Sequence, residues 1–133
     1  MTEHRCHPEA DIQRAVVHLL RAVLPFGSIV QACNHEVRGS SDWARRQQAM
    51  AASMGAHPGF SDLIALLPSV DGRPGAVLFF EVKSGTGRPT ERQQRFAAAV
   101  EGMRHRYFVV RSVDEALAAV QAAGVPMRAR VWL

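Results

Sequence analysis

The stretch Val77-Leu78-Phe79-Phe80-Glu81-Val82-Lys83 joins an apolar, strand-favouring run to a carboxylate and an ammonium two positions apart. Strand period sends alternate side chains to opposite faces, so Glu81 and Lys83 share one face and Val82 points to the other. Ionised groups at the end of a hydrophobic strand lose hydration unless something pairs with them, and a carboxylate that also binds a metal is one common solution. The stretch therefore reads as a strand that ends in chemistry. Lys83 is the only lysine of the 16 Lys+Arg. Arginine serves as the solubilising cation everywhere else, which makes a lone lysine beside Glu81 hard to dismiss as generic surface charge.

Working upstream, Gly55-Ala56-His57-Pro58-Gly59-Phe60 is turn chemistry, and Ser61-Asp62-Leu63-Ile64-Ala65-Leu66-Leu67 follows as a strand. It is apolar at every position after Asp62, as expected of a strand covered on both faces, with Asp62 at its polar mouth. Pro68 closes it, and Asp71-Gly72-Arg73-Pro74-Gly75 is a turn short enough to join it antiparallel to the strand of 77–83. That hairpin sets Asp62 beside Glu81 despite a separation of 81 − 62 = 19 residues. Downstream, Ser84 to Pro89 is a flexible loop, and Thr90 is an N-cap for a helix bearing Phe96, Ala97, Val100 and Met103 on one side. Gln93, in the first turn of that helix, faces back toward the strand end. Tyr107-Phe108-Val109-Val110 is a further strand, Ser112 opens a last helix ending near Gly124, and Val125 to Leu133 reads as a C-terminal edge strand.

Before the hairpin, Ile12, Val16, Leu19, Leu20 and Val23 recur at helical spacing from Pro8 to about Leu24. Glu9 falls in the first turn of this helix, where it either lies at the buried edge or is simply solvated. Ser28 to Cys33 reads as a short strand and gives way at Asn34 to a polar stretch. Ser41 or Asp42 then caps a second helix running to about Met54 through the cations Arg45 and Arg46. The element order is αβαββαβα, an α/β arrangement with a central mixed β-sheet flanked by helices.

At 133 residues and 47% hydrophobic content the chain fits one domain, residues 1–133, able to bury a core without disulfides. No apolar run suits a membrane span, and the polar start lacks the features of a secretory signal, so a cytoplasmic location is the expectation. Cys6 and Cys33 are too far apart for a CxxC motif. His4, Cys6 and His7 lack a fourth ligand for structural zinc. His35, Glu36 and His57 read either as turn and loop residues or, for His57, as a neighbour of Asp62. The formal charge of +4 and pI near 10.0 suit a polyanionic partner. Most aromatics read as core, which points to backbone recognition by arginines rather than to stacking platforms. Arg38, Arg45, Arg46, Arg88, Arg92 and Arg95 are the candidates, each either a phosphate contact or a solvated charge. Two carboxylates with a lysine one side chain away suit a hard divalent ion with room for water and a phosphate oxygen, the arrangement used in phosphodiester hydrolysis.

Gly55-Ala56-His57-Pro58-Gly59-Phe60-Ser61-Asp62-Leu63-Ile64, Phe80-Glu81-Val82-Lys83 and Thr90-Glu91-Arg92-Gln93-Gln94-Arg95-Phe96 together resemble the virus-type replication-repair nuclease (VRR-Nuc) domain of the PD-(D/E)XK, or restriction-endonuclease-like, superfamily. The resemblance runs from the helix around Glu9 to the segment Val109 to Leu117. It implies Asp62 and Glu81 as ligands of Mg²⁺ or Mn²⁺, Lys83 as catalytic lysine, Glu9 as the acid that completes the site, and Gln93 as the glutamine of the following helix; the backbone carbonyl of Val82, whose side chain points the other way, is a further candidate ligand on strand geometry. Asn34 matches a polar residue found after the first strand. Ser61 departs from the proline that usually precedes the Asp. The implied activity is a metal-dependent DNA endonuclease, structure-selective for branched or four-way junction DNA in replication, repair or recombination, acting as a homodimer. The alternatives are a non-cleaving module of the same fold that binds branched DNA or a replication partner, and a small RNA-processing enzyme.

Overall fold

A computed structural model describes residues 8–33 and 39–128. The elements follow in the order α1 (Pro8–Val23), β1 (Ile29–Ala32), α2 (Asp42–Ser53), β2 (Leu63–Leu67), β3 (Ala76–Val82), α3 (Glu91–Gly102), β4 (Arg106–Val110) and α4 (Val113–Ala122). This is the αβαββαβα order expected from the pattern of apolar residues. The four strands form one mixed sheet, β1-β2-β3-β4, antiparallel for the first two pairs and parallel for β3–β4. The parallel pair needs a crossover, and α3 supplies it.

Each face of the sheet has its own packing. Leu63, Ala65 and Leu67 of β2 and Leu78, Phe80 and Val82 of β3 turn toward α1 and α4, where they meet Val16, Leu20, Leu24, Ala116, Ala119 and Val120. Phe79 turns the other way, against Phe96 and Val100 of α3, with Phe60, Ile64, Val77 and Tyr107 around them. Phe79 and Phe96 meet edge to face at 5.4 Å, and Phe60 lies 4.6 Å from Phe96. Adjacent phenylalanines in β3 thus anchor opposite layers, as period two requires. Burying Phe80 completely contributes about 2–3 kcal/mol of hydrophobic stabilisation.

Two expectations need correction. The unbroken apolar run of β2 suggested cover on both faces, yet Leu66 is exposed and Ile64 only half-buried. Helix α3 packs on β4 and leaves the β1–β2 half of its face open, and α2 packs against none of the other described helices or strands. Only Ala44 of α2 is buried. Secondly, residues Val125–Arg128 form no strand: the Val125 N–H donates to the Val120 carbonyl and Arg128 returns to α1, its N–H bonding the Val23 carbonyl at 2.8 Å. The rest of the expected edge strand, 129–133, lies outside the described residues. No described helix is long and apolar enough to cross a membrane.

Candidate active site

The pairing register sets the site. Leu63 faces Phe80 across β2–β3, so Asp62, one residue before, stands opposite Glu81, one residue after. Glu81 in turn faces Val109 of β4. On the other side Ala32 faces Leu63, and the Cys33 N–H donates to the Asp62 carbonyl at 2.8 Å. One transverse row, Cys33, Asp62, Glu81 and Val109, therefore crosses the end of the sheet. A cross-strand pair has its Cβ atoms about 5 Å apart. Two carboxyls from distant parts of the chain are brought within reach of each other by that spacing alone.

Each acid is held by a different device. Asp62 Oδ2 accepts a 2.7 Å hydrogen bond from the Val82 N–H, so the aspartate side chain caps the ladder where β2 runs out. Ser61, fully buried, donates its hydroxyl to the Leu63 carbonyl at 3.0 Å and holds the entry to β2. A hydroxyl thus stabilises the extended backbone at the position where the resembled family carries proline. Upstream, Gly59 has φ +75°, and a Cβ there would stand 2.3 Å from the Arg92 carbonyl oxygen. Only glycine lets the turn before Asp62 lie against the first turn of α3.

Glu81 is 1% exposed. Its Oε1 accepts from Gln93 Nε2 at 2.8 Å and lies 3.6 Å from Lys83 Nζ. Gln93 is a member of a reciprocal cap: its Oε1 accepts from the Thr90 N–H at 2.9 Å while its own N–H donates to Thr90 Oγ1. A glutamate at this position would complete the cap equally well but would bring a third carboxylate toward Glu81. An amide serves both ends, accepting from the cap and donating to the acid. Lys83 leaves the strand immediately after Val82, its N–H still bonded to the Val110 carbonyl at 3.1 Å. The turn from Ser84 to Gly87 folds over its stem, with Gly87 packed near Cβ and Cδ of Lys83 and tied down by Arg111 Nη2 at 2.9 Å.

The charges are not balanced locally. Burial, then the Asp62 charge and its hydrogen-bonding carboxyl, push the Glu81 carboxyl up from 4.5 to about 8, against the smaller opposing pull of Lys83. Burial, followed by the charges of Glu81 and Asp62, also raises the Tyr107 phenol. Burial and Asp62 raise the Cys33 thiol. Glu81 Oε2 is buried with no donor against it, and the neighbouring Asp62 carboxyl can bond to Glu81 only through a shared proton. An orphaned carboxylate oxygen beside a second carboxylate, both hard oxygen donors, fits a divalent Mg²⁺ or Mn²⁺ ion. Asp62, Glu81 and the Val82 backbone carbonyl are the groups that would hold it.

Of the expected site residues, Asp62, Glu81, Lys83 and Gln93 come together, all at least nine-tenths buried. Glu9 is half-buried in the first turn of α1. No cluster of three acidic, histidine or cysteine side chains at metal-binding spacing forms among the described residues. Arg88, Arg92 and Arg95 are exposed around the start of α3, with Arg95 3.4 Å from Glu91. Arg45 and Arg46 are exposed on α2. Asn34 and Arg38 lie outside the described residues, as do His4, Cys6, His7, His35 and Glu36. His57 is a turn residue whose ring packs on Phe96 at 5.8 Å. Surface hollows of about 420 Å³ on the outer side of α1 and about 310 Å³ beside Leu67 and Ala76 lie away from the acids. The second use of Gln93 and the capping role of Asp62 were not foreseen; the spacing of Thr90 and Gln93 is the signal that would have given the first.

No family model and no curated protein matches the sequence. Among solved structures, one described as a VRR_NUC domain matches with a TM-score of 0.58 and 20% identity, over 87% of this chain and 97% of the other. With its mixed four-stranded sheet between helices, this chain shares the α/β fold of that VRR_NUC domain structure.

Proposed function

We propose that this protein is a divalent-metal-dependent DNA endonuclease, structure-selective for branched DNA and working as a single-domain homodimer in the cytoplasm. The observation that carries the reading is the buried Asp62–Glu81 pair at one sheet end, with Lys83 against one Glu81 oxygen and no donor on the other. A bound Mg²⁺ or Mn²⁺ supplies Lewis acidity toward a phosphoryl oxygen and toward the attacking water. The chain's own groups do the rest. Asp62, tied to the Val82 N–H, and Glu81, tied to Gln93, hold their oxygens in fixed directions, so no reorganisation is needed at reaction. The Lys83 ammonium, restrained by Glu81 and by the loop over its stem, offsets negative charge that develops on the phosphate and orients the nucleophile. Arg88, Arg92 and Arg95 contact backbone phosphates and set the register without reading bases. Glu9 is the proposed supporting acid, and Arg38, Arg45, Arg46 and Asn34 complete the DNA contacts.

The test is a panel of duplex, flap and four-way junction DNAs incubated with Mg²⁺ or Mn²⁺, alongside an RNA control. Cleavage with a preference for branched DNA is expected, abolished by Lys83→Ala while binding is largely kept. Binding to junctions with no cleavage in either metal would instead establish a non-cleaving module.

A further inference from the structure

Helix α2 is the one described element that packs on no other described helix or strand. An idle helix would be expected to be polar all round. Instead Trp43 is 65% exposed, Met50 56% and Met54 82%. Trp43, Arg46, Met50 and Met54 follow one another at three- and four-residue steps, which lines them along one side of the helix. The Ser41 side chain accepts from the Ala44 N–H and fixes the first turn, the one that carries Trp43.

Position and charge narrow the choice of occupant. The segment leaves the sheet after Cys33 and returns at Asp62, both members of the transverse row that holds the acid pair, so the arm hangs from the catalytic end. From Trp43 to Ser61 there is no acidic residue, while Arg45 and Arg46 are exposed. After α2 the chain runs through His57 and Gly59 onto the first turns of α3, where Arg92 and Arg95 stand. The chain thus packs without a break from the arm onto the helix whose Gln93 holds Glu81, with arginines at both ends of that path. A tryptophan face beside arginines matches an unstacked base flanked by phosphates.

We infer that α2 is a DNA-engaging arm in which Trp43 stacks on an unpaired base at the branch while Arg45 and Arg46 hold the neighbouring phosphates. This rests on the nuclease reading above and specifies how a branched substrate is told from a plain duplex: a continuous helix offers no free base face to Trp43, whereas a splayed strand does. The arginines contribute to both, the tryptophan to one.

The experiment uses the whole chain in Ca²⁺ or EDTA, with fluorescence anisotropy on a splayed-arm DNA and a blunt duplex of equal length. Trp43→Ala is expected to weaken splayed-arm binding by about tenfold and duplex binding by less than about twofold, with Trp43→Phe recovering most of the loss. Arg45→Ala with Arg46→Ala weakens both and lowers the slope of log affinity against log salt by about one to two. Since Trp43 is mostly exposed, Trp43→Ala should melt with wild type, which separates loss of recognition from loss of fold. Equal losses on both DNAs, no loss on either, or conversion of a dimer to a monomer in sedimentation would overturn the assignment, the last marking α2 as a contact between copies. If wild type neither binds nor cuts any DNA, the nuclease reading fails and the arm with it. If wild type cuts branched DNA and Trp43→Ala cuts it as well, only the arm fails.

Discussion

Replacing Glu81 by glutamine in metal-free protein should change how stability depends on pH. In the fold this carboxyl takes up a proton near pH 8, against an ordinary value of 4.5, chiefly because it is buried and faces Asp62. Between those two values the folded chain holds one proton more than the unfolded chain. Stability from this group is therefore complete below about pH 4.5 and is lost as pH rises toward 8. At ~1.4 kcal/mol per pH unit, the interval from 4.5 to about 8 sets a ceiling of roughly 5 kcal/mol. Sharing of the proton with Asp62 and local relaxation reduce this, and about 2 kcal/mol, or roughly 6–10 °C in melting temperature, is the expected size. The glutamine keeps the bond to Gln93, turns an amide N–H toward Asp62 and carries no charge to desolvate. Melting in EDTA across pH 5 to 8 should show wild type falling and Glu81→Gln falling less, so that the variant is the more stable protein at pH 8. Added Mg²⁺ should raise wild type at pH 8 and leave the variant unmoved. Parallel pH curves for the two proteins would refute the account of Glu81 as a buried, under-compensated acid.

Gln93→Glu should retain the helix cap and yet weaken the site, because it sets a third carboxylate beside Glu81; Mg²⁺ titration calorimetry and the metal-free melt at pH 8 check both halves, and a melt above wild type would contradict the repulsion. Gln93→Ala loses the cap as well, at a cost of about 1 kcal/mol by chemical denaturation. For Gly59→Ala, positive φ and overlap with the Arg92 carbonyl predict a loss of roughly 2–4 kcal/mol, whereas Gly55→Ala, which meets nothing within 4 Å, pays only the positive-φ strain. Phe80→Ala should cost about 3–5 kcal/mol in the same assay, since the ring is wholly enclosed.

Much of this site was legible because short-range rules carried it. Period two put Glu81 and Lys83 on one face, and a turn of a few residues between two apolar runs forced Asp62 next to Glu81. Thr90 as an N-cap located α3 and hence Gln93. Other features depend on how elements tilt and dock, which one-dimensional patterns do not encode. The apolar run of β2 looks the same whether a helix covers its second face or stands away from it, so the exposure of Leu66 could not be read from it. Trp43, Met50 and Met54 have the spacing of an ordinary buried stripe, and only the structure shows them more than half exposed. The reach of Glu9 depends on where the start of α1 lies relative to the strand ends, and its position along the helix says little about that.

The detachment of α2 also bears on how such a molecule can change. A helix that bears on no other described helix or strand is released from the volume constraints that bind core residues, so its length and surface can change while the sheet stays intact. The fixed points are its two tethers, Cys33 at one end and the Gly59-to-Asp62 turn at the other, because these lie in the hydrogen-bonded ladder or against α3. Residues 40–56 are in that sense an exchangeable cassette mounted on the sheet end that carries the acid pair. The surface that this insert presents can then be rewritten by replacing it, with no residue of the acid pair, its lysine or its glutamine disturbed.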